Sequence, residues 1–406
     1  MPSLEGSNKV VKPDSAWSVF LVFLRLGLTS FGGPIAHLGY FREEFVARRQ
    51  WLSERSYVDL VALCQFLPGP ASSQVGIGLG LSRAGFCGAI AAWAGFTLPS
   101  ATVLVLFAKG MSTGESAFPS GLLHGLKIVA VAVVAQAVWG MARNLCTDVP
   151  RVTIAAFSAC AALLWPNAMG QIGVIVCAAV VGLMLFEPTT DQPAESLSIS
   201  ISRKVGMISL GVFFSLLAGL PLLMEAWPTQ TLSMVHDFYR AGSFVFGGGH
   251  VVLPLLQTAT VPNGLVDKDT FLAGYGLVQA VPGPLFTFAA FLGASMNVHP
   301  SGWVGASVCL IAIFAPSFLL MVGVLPFWAR LQHSFRTQAA LTGVNAAVVG
   351  LLLAALYDPV WTSAILKPQD FGLALIAFVS LMFWKAPPWL VVMGSGLIGW
   401  LLSTVF

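Results

Sequence analysis

The chain contains itself twice, and each copy is interrupted in the same two places. Phe31-Gly32-Gly33 recurs as Phe246-Gly247-Gly248, with Arg25 and Arg240 six residues ahead and Gly27 and Gly242 four residues ahead. Further on, Gln65-Phe66-Leu67-Pro68-Gly69-Pro70 recurs as Gln279-Ala280-Val281-Pro282-Gly283-Pro284. Glycine admits backbone conformations that other residues avoid, and proline removes a donor and ends a helix. Two kinds of break, duplicated at matched spacing in apolar sequence, are the pattern of a transporter whose polar site is built from interrupted helices.

The surrounding sequence leaves little room for a soluble fold. Only 9% of the 406 residues are charged and 57% are hydrophobic, whereas a soluble chain carries roughly 25% charged residues. Mean hydropathy is +0.84. Apolar runs such as 89–108, 122–139 and 172–186 are long enough, or nearly so, to cross a bilayer as helices. The expected fold is an all-α polytopic membrane protein. No small-residue cleavage site follows a short apolar core near the start, so no secretory signal peptide is expected. No basic cluster interleaved with aromatics points to nucleic acid. The six cysteines form no CxxC and mostly sit in apolar segments, as small hydrophobes do. No HExxH, GxSxG or Walker loop is present, so no enzyme, metal or cofactor is expected.

The duplication extends beyond the breaks. Pro99-Ser100 matches Pro316-Ser317, and 122–142 matches 339–357. Six membrane segments are expected in each half: 16–39, 57–82, 85–108, 119–142, 152–165 and 168–187, then 231–256, 270–297, 302–328, 338–357, 371–385 and 388–406. A polar linker at 188–204 and one unmatched apolar segment at 205–226 stand between them. The expected organisation is a first repeat at 1–187, linker and extra helix at 188–230, and a second repeat at 231–406. That makes about 13 segments. An odd extra helix starts the second half on the opposite face, so the repeats are expected to be inverted.

Charge distribution supports that reading. The loop 40–56 carries Arg42, Arg48, Arg49 and Arg55, whereas its counterpart 257–269 carries only Lys268. Thirteen plain crossings starting inside the cell leave those four arginines outside, against the positive-inside rule. If the two break-bearing segments of each half are re-entrant hairpins instead, Lys9, Lys12, Arg42, Arg48, Arg49, Arg55, Arg83, Arg143, Arg151, Arg203, Lys204, Arg330, Arg336 and Lys385 fall inside. Only Lys109, Lys268 and Lys367 then fall outside. Re-entrant backbone survives at membrane depth only where protein or a water-filled cavity covers it, so the hairpin tips are expected to share an interior site.

Candidate site residues follow from these breaks. Arg25 and Arg240 are costly inside a membrane and offer guanidinium forks for an oxyanion; the alternative is a structural arginine bonded to carbonyls. Phe31, Gly32, Gly33, Gly247 and Gly248, with Pro68, Gly69, Pro70, Pro282, Gly283 and Pro284, free helix N-termini that bind anions without side-chain charge. Gln65 and Gln279, and Ser73 and Thr287, are matched pairs of polar candidates beside the breaks. His37, His250 and Asp59 are unmatched candidates for proton coupling.

These motifs, Phe31-Gly32-Gly33-Pro34, Leu67-Pro68-Gly69-Pro70, Phe246-Gly247-Gly248-Gly249 and Val281-Pro282-Gly283-Pro284, resemble the chromate ion transporter (CHR) family in its long, two-domain form. The second copy departs at Gly249, where the first has Pro34. The resemblance implies a multi-pass protein of the bacterial inner membrane that exports chromate and confers chromate resistance. It brings sulfate as a related ligand, and uptake or exchange of sulfate or another small anion is the alternative. A homodimer stays open. The residues alone support a small oxyanion.

Overall fold

The computed structural model describes residues 15–112, 119–186, 199, 201–331 and 334–405. Lys9, Lys12 and most of the expected linker lie outside the described residues. The first half holds α1 (Ala16–Thr29), α2 (Gly33–Arg42), α3 (Glu54–Phe66), α4 (Ala71–Ser112), α5 (Ser120–Leu145), α6 (Val149–Leu164) and α7 (Ala168–Leu185). The unmatched helix is α8 (Arg203–Ala226). The second half holds α9 (Gln230–Ser243), α10 (Val252–Thr260), α11 (Lys268–Val278), α12 (Phe288–Ala294), α13 (Gly302–Val324), the short α14 (Trp328–Leu331), α15 (Phe335–Ala355), the short α16 (Thr362–Ala364), α17 (Pro368–Met382) and α18 (Pro388–Val405). Among the described residues there is no strand, and six helices are long and apolar enough to cross a membrane.

The chain turns back on itself at each of the four breaks. Phe23, before the first FGG break, stacks on Phe45 at 5.0 Å and meets Phe41 edge-on at 5.6 Å. Both partners come after that break, so α2 runs back along α1. Leu60, ahead of the first PGP break, meets Gly78 beyond it. In the second half α9 and α10 pack side by side, and Phe271 and Tyr275 of α11 meet Phe288 of α12 edge-on at 5.1 and 5.7 Å. A further reversal lies inside α4, at Ala84 and Gly85 (φ +60°), where the legs approach through Gly80 and Gly88. Gly293 and Gly305 make the matching approach between α12 and α13.

The remaining helices exchange partners between halves. α5 packs against α17 and α18, and α15 packs against α6 and α7. Glycines set both approaches. A Cβ on Gly121 would meet Ser403 and one on Gly125 would meet Ser395, so α5 and α18 are antiparallel. Gly182 lies against Ala339 and Gly343 against Ala178, so α7 and α15 are antiparallel as well. Small residues let backbones close up where lipid offers no hydrophobic drive for helix association. We therefore expect Gly125→Leu, which drives a side chain into the Ser395 carbonyl, to cost about 1–3 kcal/mol as a lowered melting temperature in detergent. Gly211→Ala, with nothing within 4 Å of the added carbon, should leave the melting temperature unchanged.

Candidate functional site

Six helix N-termini in this fold carry a side-chain cap, whereas α5, α11, α13, α15 and the tips do not. Ser15, Ser53, Asp148, Asn167, Ser202 and Thr229, ahead of α1, α3, α6, α7, α8 and α9, each accept a backbone N–H of the first turn. A cap of this kind stabilises by about 1 kcal/mol. At the tips, Gly32, Gly248 and Pro284 supply no side-chain cap. First-turn amides have no partner within their own helix, so they remain available to something else. The glycines make these tips possible: Gly32, Gly33, Gly69, Gly247, Gly248 and Gly283 have φ of +99°, +76°, +124°, +74°, +154° and +104°.

Two reciprocal bonds lock the tips together. Gly69 N–H donates to the Val245 carbonyl at 2.7 Å, and Gly283 N–H donates to the Ser30 carbonyl at 3.0 Å. Each PGP glycine thus bonds the residue just ahead of the other half's FGG. The matched serines follow the same exchange: a Cβ on Gly69 would lie 2.6 Å from Ser317 Oγ, and one on Gly283 would lie 2.8 Å from Ser100 Oγ.

The four tips surround one cavity of about 570 Å³, many times the ~30 Å³ that a water molecule occupies in the liquid. Gly32, Gly33, Gly69, Gly247, Gly248 and Gly283 line it, with the matched Gln65 and Gln279. Helix α5 adds Gln136 and Asn144, and α15 adds Asn345, whose Oδ1 lies 3.4 Å from where a Gly247 Cβ would be. His250 and Cys64 also line it, but among the described residues no lysine, arginine, aspartate or glutamate does. The wall is mainly apolar, with a few carboxamides and backbone groups set into it and no fixed side-chain charge.

The structure does not bring Arg25 or Arg240 to this cavity. On α1, Gly27 is pressed against the carbonyls of Gly95 and Phe96. Arg25, two residues away and so roughly 200° around the helix, points to the exposed side. Gly242 fits against Ile313 in the same manner, and Arg240 pairs with Asp237 at 3.1 Å. Phe31, Pro68, Pro70, Ser73, Pro282, Pro284, Thr287, His37 and Asp59 also stand back from the lining. Thr287 Oγ1 donates to the Pro284 carbonyl at 2.8 Å. The His37 ring braces a tip, with Nε2 3.2 Å from the Ser30 carbonyl and Nδ1 3.4 Å from Ser72 Oγ. His250 Nδ1 is 2.7 Å from the Tyr275 hydroxyl. Sequence reasoning missed Gln136, Asn144 and Asn345. Their signal was a carboxamide inside an apolar helix, which the cost of polar groups in a membrane marks as functional.

Four cationic residues, the basic rim, neighbour the cavity lining in sequence. The lining residues Leu38, Asn144, Leu145, Met382 and Pro388 are close in sequence to Arg42, Arg143, Arg151 and Lys385. Glu44 is held by Arg48 at 2.7 Å and Arg49 at 2.6 Å, and Arg49 and Arg83 both lie over the Trp51 ring. Burial alone would raise the Glu44 carboxyl. The hydrogen bond from Arg49 and the charges of Arg49, Arg48 and Arg25 outweigh it and hold the carboxyl below its ordinary value.

A family model described as "Chromate transporter" matches residues 17–183 and again 232–400. The chain is 29% identical over 400 residues to an uncharacterized transporter of Methanocaldococcus jannaschii, covering 96% of this chain and 94% of that protein. It is 27% identical over 410 residues to a chromate transport protein of Pseudomonas aeruginosa, covering 98% and 95%. An uncharacterized transporter of Bacillus subtilis is 32% identical over 169 residues, covering 39% of this chain but 81% of its own. No solved structure matches.

Two outcomes test this geometry. Gly69→Ala should destabilise by about 1–3 kcal/mol through its positive φ and further through the Ser317 hydroxyl. Adding Ser317→Ala should recover only the second part, seen as a partial return of the melting temperature. Because the Glu44 value is depressed in the folded protein, its contribution is present above the ordinary value of 4.5 and is lost as pH falls through the lower, folded value. The wild-type melting temperature should therefore fall more steeply than that of Glu44→Gln between about pH 6 and about pH 3.

Proposed function

Because the chain belongs to the chromate transporter family, we propose that it is a secondary transporter that carries chromate out of the cytoplasm across a bacterial inner membrane and so confers chromate resistance. The observation that carries this reading is the convergence of four hairpin tips on one cavity without charged side chains. Uncapped helix N-termini and carboxamides supply N–H donors to a tetrahedral dianion. Neutral donors bind without the deep well of a buried counter-charge, which suits a site that must also release its ion. Gln65, Gln279, Gln136, Asn144 and Asn345 are the side chains we assign to the anion, together with the first-turn amides at Gly33, Ala71, Gly249 and Leu285.

The two repeats are inverted in this reading. α5 is antiparallel to α18 and α7 to α15. With α5 and α7 two crossings apart, and α15 and α18 likewise, α5 and its counterpart α15 run in opposite directions. The positive-inside rule then assigns the basic rim to the cytoplasm, so the cavity mouth lies where chromate would be collected and arginines would concentrate anions. A dianion leaving a cell that is negative inside gains about 2.3 kcal/mol per charge per 100 mV, enough to drive efflux without a coupled proton.

In inside-out vesicles we expect saturable chromate accumulation driven by a lumen-positive potassium diffusion potential with no pH gradient, and sulfate should compete. Accumulation that ignores the potential would overturn this reading. Asn345→Asp sets a carboxylate beside the ion and should raise KM by at least about tenfold; Arg25→Ala should change it little.

A further inference from the structure

The two halves match in sequence and in their tips, yet they differ in how their hairpins are seated. In the second half, α11 packs against α5, with Gly276 directly on the Leu126 carbonyl. α10 packs against α7 and α15, and Gln171 Nε2 donates to the Pro254 carbonyl at 3.3 Å. The corresponding packing of the first half is not matched: α3 against α15, and α2 against α5 or α18, make at most marginal contact. The space left on that side is the cavity, with Leu38, Gln65, Asn144 and Pro388 around it.

The unseated helix carries the imprint of the missing contact. Leu272 and Gly276 of α11, with Gln279 at its C-terminal cap, form the stripe that includes the docked glycine, and Leu272 is fully buried. Their counterparts on α3 are Val58, Ala62 and Gln65. All three are exposed, at the spacing of a single helical face. Small and apolar residues on an uncovered face beside a cavity match a docking surface whose partner is withdrawn. On α15, Val344 is the counterpart of Leu126, because Gly343 meets α7 as Gly125 meets α18.

We propose that the Val58-Ala62-Gln65 face of α3 is a docking surface for α15 around Val344, and that transport alternates between two seatings. In the seating seen here α11 sits on α5 and the cavity opens beside the basic rim. In the other, α3 sits on α15, α2 closes over the present cavity, and α10 and α11 lift away to open the opposite face. The moving body is the hairpin core of α1–α4 and α9–α13, joined by the reciprocal bonds Gly69 to Val245 and Gly283 to Ser30. The frame is α5–α7 with α15, α17 and α18. This proposal rests on the transport reading for its purpose, but not for its geometry.

The test uses the full chain with its six native cysteines replaced, carrying Ala62→Cys and Val344→Cys, reconstituted in vesicles and treated with a short bismaleimide. The present seating gives a low yield of the internal cross-link. Adding Gly276→Leu, which drives a side chain into the Leu126 carbonyl, should shift the equilibrium by at least about tenfold toward the cross-linked form. It should also protect Ala62→Cys from a bulky maleimide applied at the basic rim. A variant that migrates as a monodisperse peak with an unchanged yield and unchanged labelling would overturn the proposal. If Gly276→Leu does not survive purification, the pair is tested without it, with saturating chromate or sulfate on either side of the vesicle. Cross-linking that no side and no anion alters, in vesicles that still carry flux, would overturn it equally. If the cross-link responds as expected but no chromate moves, the docking surface stands and the substrate assignment fails.

Discussion

Everything in this molecule hangs on two backbone hydrogen bonds that neither half can make alone. Gly69 N–H reaches the Val245 carbonyl and Gly283 N–H reaches the Ser30 carbonyl. An amide bond of this kind is worth several kcal/mol in an apolar medium, and each of these groups sits where the helix has been broken and no ladder can satisfy it. Glycine is required at both donors, because the backbone there has φ of +124° and +104° and because the serine of the other half occupies the place where a side chain would begin. The tips consequently meet at one point, and the first residues of their helices, Gly33, Ala71, Gly249 and Leu285, line the same space.

In the proposed reading, that arrangement changes what would hold an anion. A guanidinium in the cavity would bind a dianion strongly and would have to be desolvated and re-solvated in each cycle. Dipoles that are already fixed by the fold need no such reorganisation. Cationic side chains stand outside the lining, where Arg48 and Arg49 are fastened to Glu44 and Arg49 and Arg83 lie over Trp51. Charge outside and dipoles inside divide attraction from binding.

Much of this was legible in the residues. The duplicated Phe31-Gly32-Gly33 and Pro68-Gly69-Pro70 breaks mark the hairpin tips because glycine and proline have few other reasons to recur at matched spacing. Charge counting favoured re-entrant hairpins over plain crossings; the chain does reverse at the first break, where Phe23 meets Phe41 and Phe45, and its depth in a bilayer belongs to the proposed reading. What escaped was the direction in which side chains face. Arg25 keeps its spacing to the break in both halves, yet the close approach of Gly27 to α4 turns it outward, and a spacing rule does not contain that rotation. Gln136, Asn144 and Asn345 escaped for the opposite reason. They have no matched counterparts, and only the folding of α5 and α15 around the tips gathers them. The exchange of α6–α7 and α17–α18 between halves was also invisible, because small residues such as Gly125 and Gly343 tell that a helix is approached closely but not by which neighbour.

The reciprocal bonds carry a consequence for how the chain is made. Val245 follows Gly69 by 176 residues, and a ribosome adding 5–20 residues per second needs roughly ten to thirty-five seconds to cover that distance. Throughout that interval the Gly69 amide has no Val245 carbonyl to bond, and the Ser30 carbonyl has only the His37 ring beside it. Water must reach those groups until the second repeat arrives. The nascent half is therefore a wet, open intermediate by construction, and the segment from Val245 to Gly283 is what closes it.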